Sequence, residues 1–267
     1  LAAPATPSAA AADAPASFAE LAERVSPAVV NISTTRRIEG GPQGLPFQFP
    51  PGSPFEEFFR EFQDRFGGTL DGPGPRPEGH ALGSGFVIGP EGYIVTNNHV
   101  IDQADEIQVK FVDGTVLPAE LVGRDPQTDL ALLKVESDED LPYVEFGDSD
   151  AIHVGDWVIA IGNPFGLGGT VSAGIVSARG RDIHAGPFDD FLQIDASINP
   201  GNSGGPTFDM NGKVVGVNTA IASPTGASVG IGFAIPSSLA KPIIDQLKER
   251  GTVERGWLGV QIQQVTP

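Results

Sequence analysis

From residue 80 onward the chain is a succession of short apolar runs cut by glycine-bearing turns. GSGFVI, GYIVTNNHVI, EIQVKFVDG, VLPAELVG and TDLALLKV form one series. HVGDWVIAIG, GTVSAGIVSA, DFLQIDA, TFDMNGKVVGVNTA and ASVGIGFAIP form a second. Runs of this length, rich in Val and Ile and bounded by turns such as GPEG and VDGT, read as antiparallel strands. The 35 glycines and 24 prolines favour many strands and turns over a helical bundle. Two groups of about six strands predict two antiparallel barrels, joined near 140–150 around the acidic turn ESDEDLPY. Helices are expected only at the ends. In SFAELAERV, Ser17 and Glu20 have capping-box spacing, and Pro27 stops the helix. PSSLAKPIIDQLKER at 236–250 predicts a closing helix with serine caps and Gly251 just past its end.

Charge and composition remove several function classes. A net charge of −18, with no Lys/Arg cluster, excludes DNA, RNA or an anionic membrane surface as the expected partner. The absence of cysteine excludes disulfides, thiolate catalysis and cysteine-ligated zinc. The histidines at 80, 99, 153 and 184 lack metal-ligand spacing, so no metal or other cofactor is expected. No apolar run approaches the ~20 residues that span a bilayer. The opening LAAPATPSAAAADAPAS, rich in small residues and proline, reads as a flexible leader left after signal removal, which suggests export.

Residues 38–79 differ in kind. Glycine and proline punctuate both flanks, and the centre reads PFEEFFREFQDRFGG. Phenylalanines at 55, 58, 59, 62 and 66 predict one apolar face of a helix. Packing on its own domain and docking on a partner are both open for such a segment.

The stretch NPGNSGGP at 199–206 sets Ser203 among glycines, as a tight turn or as a nucleophile beside exposed backbone N–H groups. A serine nucleophile needs a base and a group to orient that base. His99 stands at the end of an apolar strand entering the polar turn TNNHV. Asp129 directly precedes the apolar run LALLKV, whereas Asp125 stands in a DP turn. Each residue alone has an ordinary structural role; the set His99, Asp129 and Ser203 is what points to chemistry. GNSGG also fits the G-x-S-x-G elbow of α/β-hydrolases, but a strand and hairpin follow the serine, and the triad order there would be Ser–Asp–His.

TNNHV, TDLALLKV and INPGNSGGP resemble the signature segments of HtrA/Deg-type serine proteases, as do LGSGFVI at 82–88, WVIAIGNPFG at 157–166 and GIGFAIPSS at 230–238. The similarity covers residues 18 to 250. It implies an all-β fold, a chymotrypsin-like double antiparallel barrel with short terminal helices, and an acyl-enzyme mechanism run by His99, Asp129 and Ser203. It places the oxyanion hole on Gly201, Asn202 and Ser203, with the N–H groups of Gly201 and Ser203 as donors. It assigns Thr219, Ala220, Ile221, Ala222 and Ser223 to substrate binding, and Arg181, in RDIHAGPFDD, to the relay of activation. Asn202 stands where the digestive members of the superfamily have an acid, which closes activation by a new N-terminal ammonium. No acid occupies the pocket region around Ser197 and Ile198, so a pocket of Ile198 and Ile221 predicts cleavage after small or medium aliphatic residues.

The implied organisation is a flexible leader over 1–16, a protease domain over 17–250, and a linker and the truncated start of a PDZ domain over 251–267. Within the protease domain, barrel 1 spans about 25–145 and carries the 38–79 loop; barrel 2 spans about 146–236, and the closing helix 237–250. The resemblance also implies unfolded polypeptide substrates, a homotrimer with larger cages formed through the 38–79 loop, and peptide activators acting through PDZ domains. It suggests a periplasmic or otherwise exported setting. A latent binding module or chaperone, and a structural oligomer built on the Phe-rich helix, are the rival readings.

Overall fold

The computed structural model describes residues 15–37, 78–163, 169–184, 186–199, 201–221, 228–256 and 259. Most of the Phe-rich segment, the first fourteen residues, Ala222, Ser223 and residues 257–267 apart from Gly259 lie outside them.

Twelve strands close into two six-stranded barrels. The first runs β1 (Val29–Arg37), β2 (Glu78–Val87), β3 (Tyr93–Thr96), β6 (Leu130–Val135), β5 (Val116–Asp125) and β4 (Glu106–Lys110), with β4 pairing back on β1. The second runs β10 (Pro206–Phe208), β11 (Val214–Ile221), β12 (Gly232–Pro236), β9 (Phe191–Ile194), β8 (Thr170–Arg181) and β7 (Trp157–Gly162), with β7 closing on β10. All pairings within the barrels are antiparallel.

The barrels explain why so many strands lack a polar face. Successive side chains point to opposite faces of a strand, so a strand that is apolar throughout must bury both. In β6, Ala131 and Leu133 enter the interior of the first barrel, while Leu130 and Leu132 face a seam between the barrels. In β7, Val158 and Ala160 enter the second barrel, while Ile159 and Ile161 face the same seam. Phe86, Phe208, Val217 and Ile235 complete the seam. Each such side chain, fully buried, contributes roughly 1.5–3 kcal/mol.

Two helices seal the seam. α1 (Ala19–Val25) inserts Leu21 and Val25, and α3 (Ser237–Arg250) inserts Ala240, Ile243, Ile244 and Leu247. Their caps differ in detail from the sequence expectation. Ser17 Oγ accepts from the Ala19 N–H at 3.1 Å, and the helix starts after Phe18 without a side-chain cap. Ser237 and Ser238 bond across to the segment before β7 instead of capping α3: the Ser237 hydroxyl donates to the Gly147 carbonyl and accepts from the Ser149 N–H. Gly251 ends α3 in the left-handed conformation, φ 72°, with its N–H on the Leu247 carbonyl at 2.9 Å.

Candidate active site

The seam brings together residues far apart in sequence. His99 lies on a single helical turn, α2 (Asn98–Ile101), just past the end of β3. Asp129 directly precedes β6, and Ser203 lies in the loop between β9 and β10 of the other barrel.

Asp129 adopts φ 57°, a left-handed conformation that aspartate tolerates better than most side chains. Its carbonyl accepts from the Asn98 N–H at 3.1 Å and from Asn97 Nδ2 at 3.0 Å. Its carboxylate takes the His99 N–H on Oδ1 at 3.0 Å and pairs through Oδ2 with His99 Nδ1 at 2.6 Å. A carboxylate only accepts, so Nδ1 carries the proton of that pair, and the lone pair of a neutral imidazole falls on Nε2. A further donor comes from the second barrel: the Thr219 hydroxyl, on β11, reaches Asp129 Oδ2 at 2.7 Å. Nothing in the local sequence signals this bond, because it depends on how the barrels face each other.

Ser203 is 6% exposed, and its hydroxyl lies 3.5 Å from the Thr219 carbonyl. The turn before it is defined by its hydrogen bond. The Asn202 N–H donates to the Asn199 carbonyl at 3.0 Å, and Gly201, third in the turn, has φ 99°. That torsion belongs to a type II turn and is opposite in sign to type I, hence glycine at this position. The Asn202 N–H is therefore engaged inside the turn. The N–H groups of Gly201 and Ser203 have no acceptor among the described residues. The Asn202 side chain is buried against Gly162, where an added Cβ would lie 2.3 Å from its Oδ1. Gly204, φ 83°, has no room for a side chain: a Cβ would lie 2.3 Å from the Ser84 carbonyl.

Ile198 and Ile221 are 1% and 2% exposed, packed in one apolar cluster with Ile194 and Val176. Thr219 and Ala220, buried, precede Ile221 on β11, and Ala220 packs in a separate cluster with Phe233. Arg181 ends β8, away from this cluster, with its Nε on Gln193 Oε1 at 2.9 Å.

Asp125, four residues before Asp129, is buried and not a simple turn residue. Arg255, beyond α3, grips both its carboxylate oxygens, and the Thr128 hydroxyl donates to Oδ2 at 2.5 Å. The Arg255 guanidinium also lies 4.5 Å from the centre of the Phe188 ring. Burial favours the neutral acid, but Arg255 and Thr128 outweigh it and hold the Asp125 carboxyl below the usual range.

Among the described residues, no group of His, Asp and Glu is arranged to hold a metal, and no helix is long and apolar enough to cross a membrane.

Comparison with known proteins places this architecture. The family described as trypsin-like peptidase domain matches residues 83–217. A Brucella suis protein named "Probable periplasmic serine endoprotease DegP-like" is 54% identical over 271 residues, covering 94% of this chain and 53% of that protein. A Rickettsia conorii protein of the same name is 52% identical over 256 residues, covering 94% of this chain and 49% of its own length. The chain thus spans about half the length of the curated relatives it matches. Among solved structures, the HtrA-type protease AlgW with a decapeptide superposes with a TM-score of 0.75 at 42% identity, covering 94% of this chain and 73% of that one. With two closed barrels and these similarities together, the chain belongs to the trypsin-like peptidases, in their HtrA-type branch.

Proposed function

We propose that the chain is a serine endopeptidase that cleaves unfolded polypeptides in an exported, periplasmic compartment, as part of envelope protein quality control. The observation that supports this most is the His99–Asp129 pair, tied by the Thr219 hydroxyl to the residue whose carbonyl lies beside Ser203 Oγ, together with the backbone N–H groups of Gly201 and Ser203, which have no acceptor among the described residues.

The chemistry follows from these positions. Ser203 Oγ attacks the carbonyl carbon of the scissile peptide while its proton passes to His99 Nε2. The carbonyl oxygen becomes an oxyanion, received by the N–H groups of Gly201 and Ser203. His99 then returns the proton to the leaving amine as the C–N bond breaks, leaving an acyl-enzyme. Water repeats the sequence and frees Ser203. Asp129 keeps the proton on Nδ1 and stabilises the imidazolium. Thr219 to Ser223 pair with the substrate backbone, and Ile198 and Ile221 form the floor of a pocket for aliphatic side chains, where a basic side chain would bury an unpaired charge. Arg181 relays activation. Trimers, larger cages formed through the 38–79 segment, and activation by peptides on downstream PDZ domains complete the proposal.

The test is digestion of a casein-like unfolded protein by the chain beside Ser203→Ala and Asp129→Asn. Cleavage after aliphatic residues is expected, abolished by the first change and slowed about 10⁴-fold by the second. Cleavage that survives Ser203→Ala would refute the mechanism; no cleavage by any version, even with downstream domains and an activating peptide supplied, would favour a binding module.

A further inference from the structure

The turn that presents Gly201 and Ser203 rests on one residue of the opposite barrel. Ser84, on β2, is fully buried. Its N–H donates to the Ser203 carbonyl at 2.8 Å, and its hydroxyl lies 2.5 Å from the Gly201 carbonyl. The same hydroxyl oxygen accepts from the Asn163 N–H at 2.8 Å, and the Ser84 carbonyl accepts from the Thr96 hydroxyl at 2.7 Å. An N–H can only donate and a carbonyl only accept. The Ser84 hydroxyl proton is therefore directed at Gly201, completing a relay from Asn163 N–H through Ser84 Oγ–H to the Gly201 carbonyl.

This arrangement fixes peptide planes. The Gly201 carbonyl orients the 201–202 peptide, whose N–H is already held by Asn199, and the Ser203 carbonyl orients the 203–204 peptide. Between them lies the 202–203 peptide, which carries the Ser203 N–H. Both flanking planes are anchored to Ser84, so that N–H has little freedom to turn. Without the hydroxyl, two buried groups, the Gly201 carbonyl and the Asn163 N–H, would lose their partner at once. A turn that swings the Gly201 carbonyl elsewhere would then compete with the observed one.

We propose that Ser84 is a positioning residue for peptide cleavage: its hydroxyl holds the 201–203 turn so that the N–H groups of Gly201 and Ser203 converge on the developing oxyanion. This rests on the proteolytic reading above. It assigns a role to the serine of LGSGFVI, which the triad does not use.

The experiment compares the full chain with Ser84→Ala and Ser84→Cys on a peptide substrate, rates being normalised to active sites titrated with a covalent serine reagent, and with Ser203→Ala as the inactive control at equal protein concentration. Ser84→Ala is expected to lower kcat per titrated site about 10–100-fold with KM within about twofold, because the interaction acts in the transition state. Affinity for a peptide boronate, whose tetrahedral adduct occupies the hole, should fall in parallel. Affinity for the unreacted peptide, measured with Ser203→Ala alone and combined with Ser84→Ala, should not change. Ser84→Cys keeps a weak donor and should fall between, and it carries the comparison if the alanine variant folds poorly. An unchanged kcat per titrated site, or equal losses in substrate and boronate affinity, would overturn the inference. If the wild-type chain shows no Ser203-dependent cleavage, the proteolytic reading fails first, and that arm reveals it independently of Ser84.

Discussion

Asp129 has three donors on its carboxylate and two on its carbonyl among the described residues, and only one of the five is the imidazole ring. The others keep the carboxylate from rotating away when the imidazolium forms. Thr219 is the donor that crosses the seam, so it ties the His99–Asp129 pair of one barrel to the Ser203 loop of the other. Thr219→Ala removes a part-buried hydrogen bond to a charged acceptor, of a kind worth about 1.5–3 kcal/mol. Part of that appears as stability and part as a fall in kcat/KM of about tenfold. Thr219→Ser, which keeps the hydroxyl, should restore most of the rate; steady-state kinetics on both variants check this. At this scale the sequence was legible where chemistry restricts residue type. One serine among glycines, one histidine at a strand end and one aspartate before an apolar run stood out on those grounds. Asn97 and Ser84 did not, and Thr219 was named only through the resemblance, for substrate binding and not for its bond to Asp129, because hydroxyls and amides are common on strands and their meaning lies in a partner from a distant segment.

The loop joining β5 to β6 is held from outside as well as by its own turn. Asp125 at its start is 3% exposed, and Arg255, 27% exposed in its side chain, reaches it from beyond α3 while stacking on Phe188. Removing Arg255 leaves a buried carboxylate with only local donors. Arg255→Ala should cost about 2–3 kcal/mol, short of the ~3–5 of a fully buried pair because Arg255 is partly solvated. The pH dependence has a definite sign. The folded state holds the Asp125 carboxyl below its unfolded value of about 3.9, so the ionised pair stabilises the protein above that value. That stability is lost as pH falls through the lower folded value. The melting-temperature gap between wild type and Asp125→Asn should be full near pH 6 and narrow as pH falls below the unfolded value of about 3.9; a constant gap would mean that the pair contributes packing and not charge. The DP context suggested a turn here, and the residue is in fact the buried end of β5. A local turn signal cannot report an arginine 130 residues away. The helix caps show the same limit: Gly251 was readable because its torsion is a local matter, whereas Ser237 and Ser238 bond to a segment about 90 residues upstream.

Two barrels sharing a seam make one cooperative unit out of two closed sheets. Each barrel has its own interior cluster, around Ile94 and Leu133 in the first and around Ile194 and Val215 in the second. The largest cluster belongs to neither: it draws Phe86, Val95, Leu130 and Leu132 from one barrel and Ile159, Ile161, Phe208 and Val217 from the other. α1 and α3 cover its edges, and Lys248 of α3 adds a bond at 2.6 Å to Glu91 beside the first barrel. If either barrel unfolded alone, its partner's seam face would be left in water, at roughly 1.5–3 kcal/mol for each large side chain exposed. The candidate site, whose His99 and Asp129 come from one side and Ser203 from the other, would be lost in the same event. Leu132→Ala, at the seam, should therefore cost about 2–5 kcal/mol and lower a single transition. Near-ultraviolet circular dichroism and labelling of Ser203 by a covalent serine reagent should report the same midpoint. Ile194→Ala, inside the second barrel and off the seam, should shift both probes together as well. Two separated transitions in either variant would mean that the barrels fold independently, and that the alignment of His99 with Ser203 is a docking equilibrium.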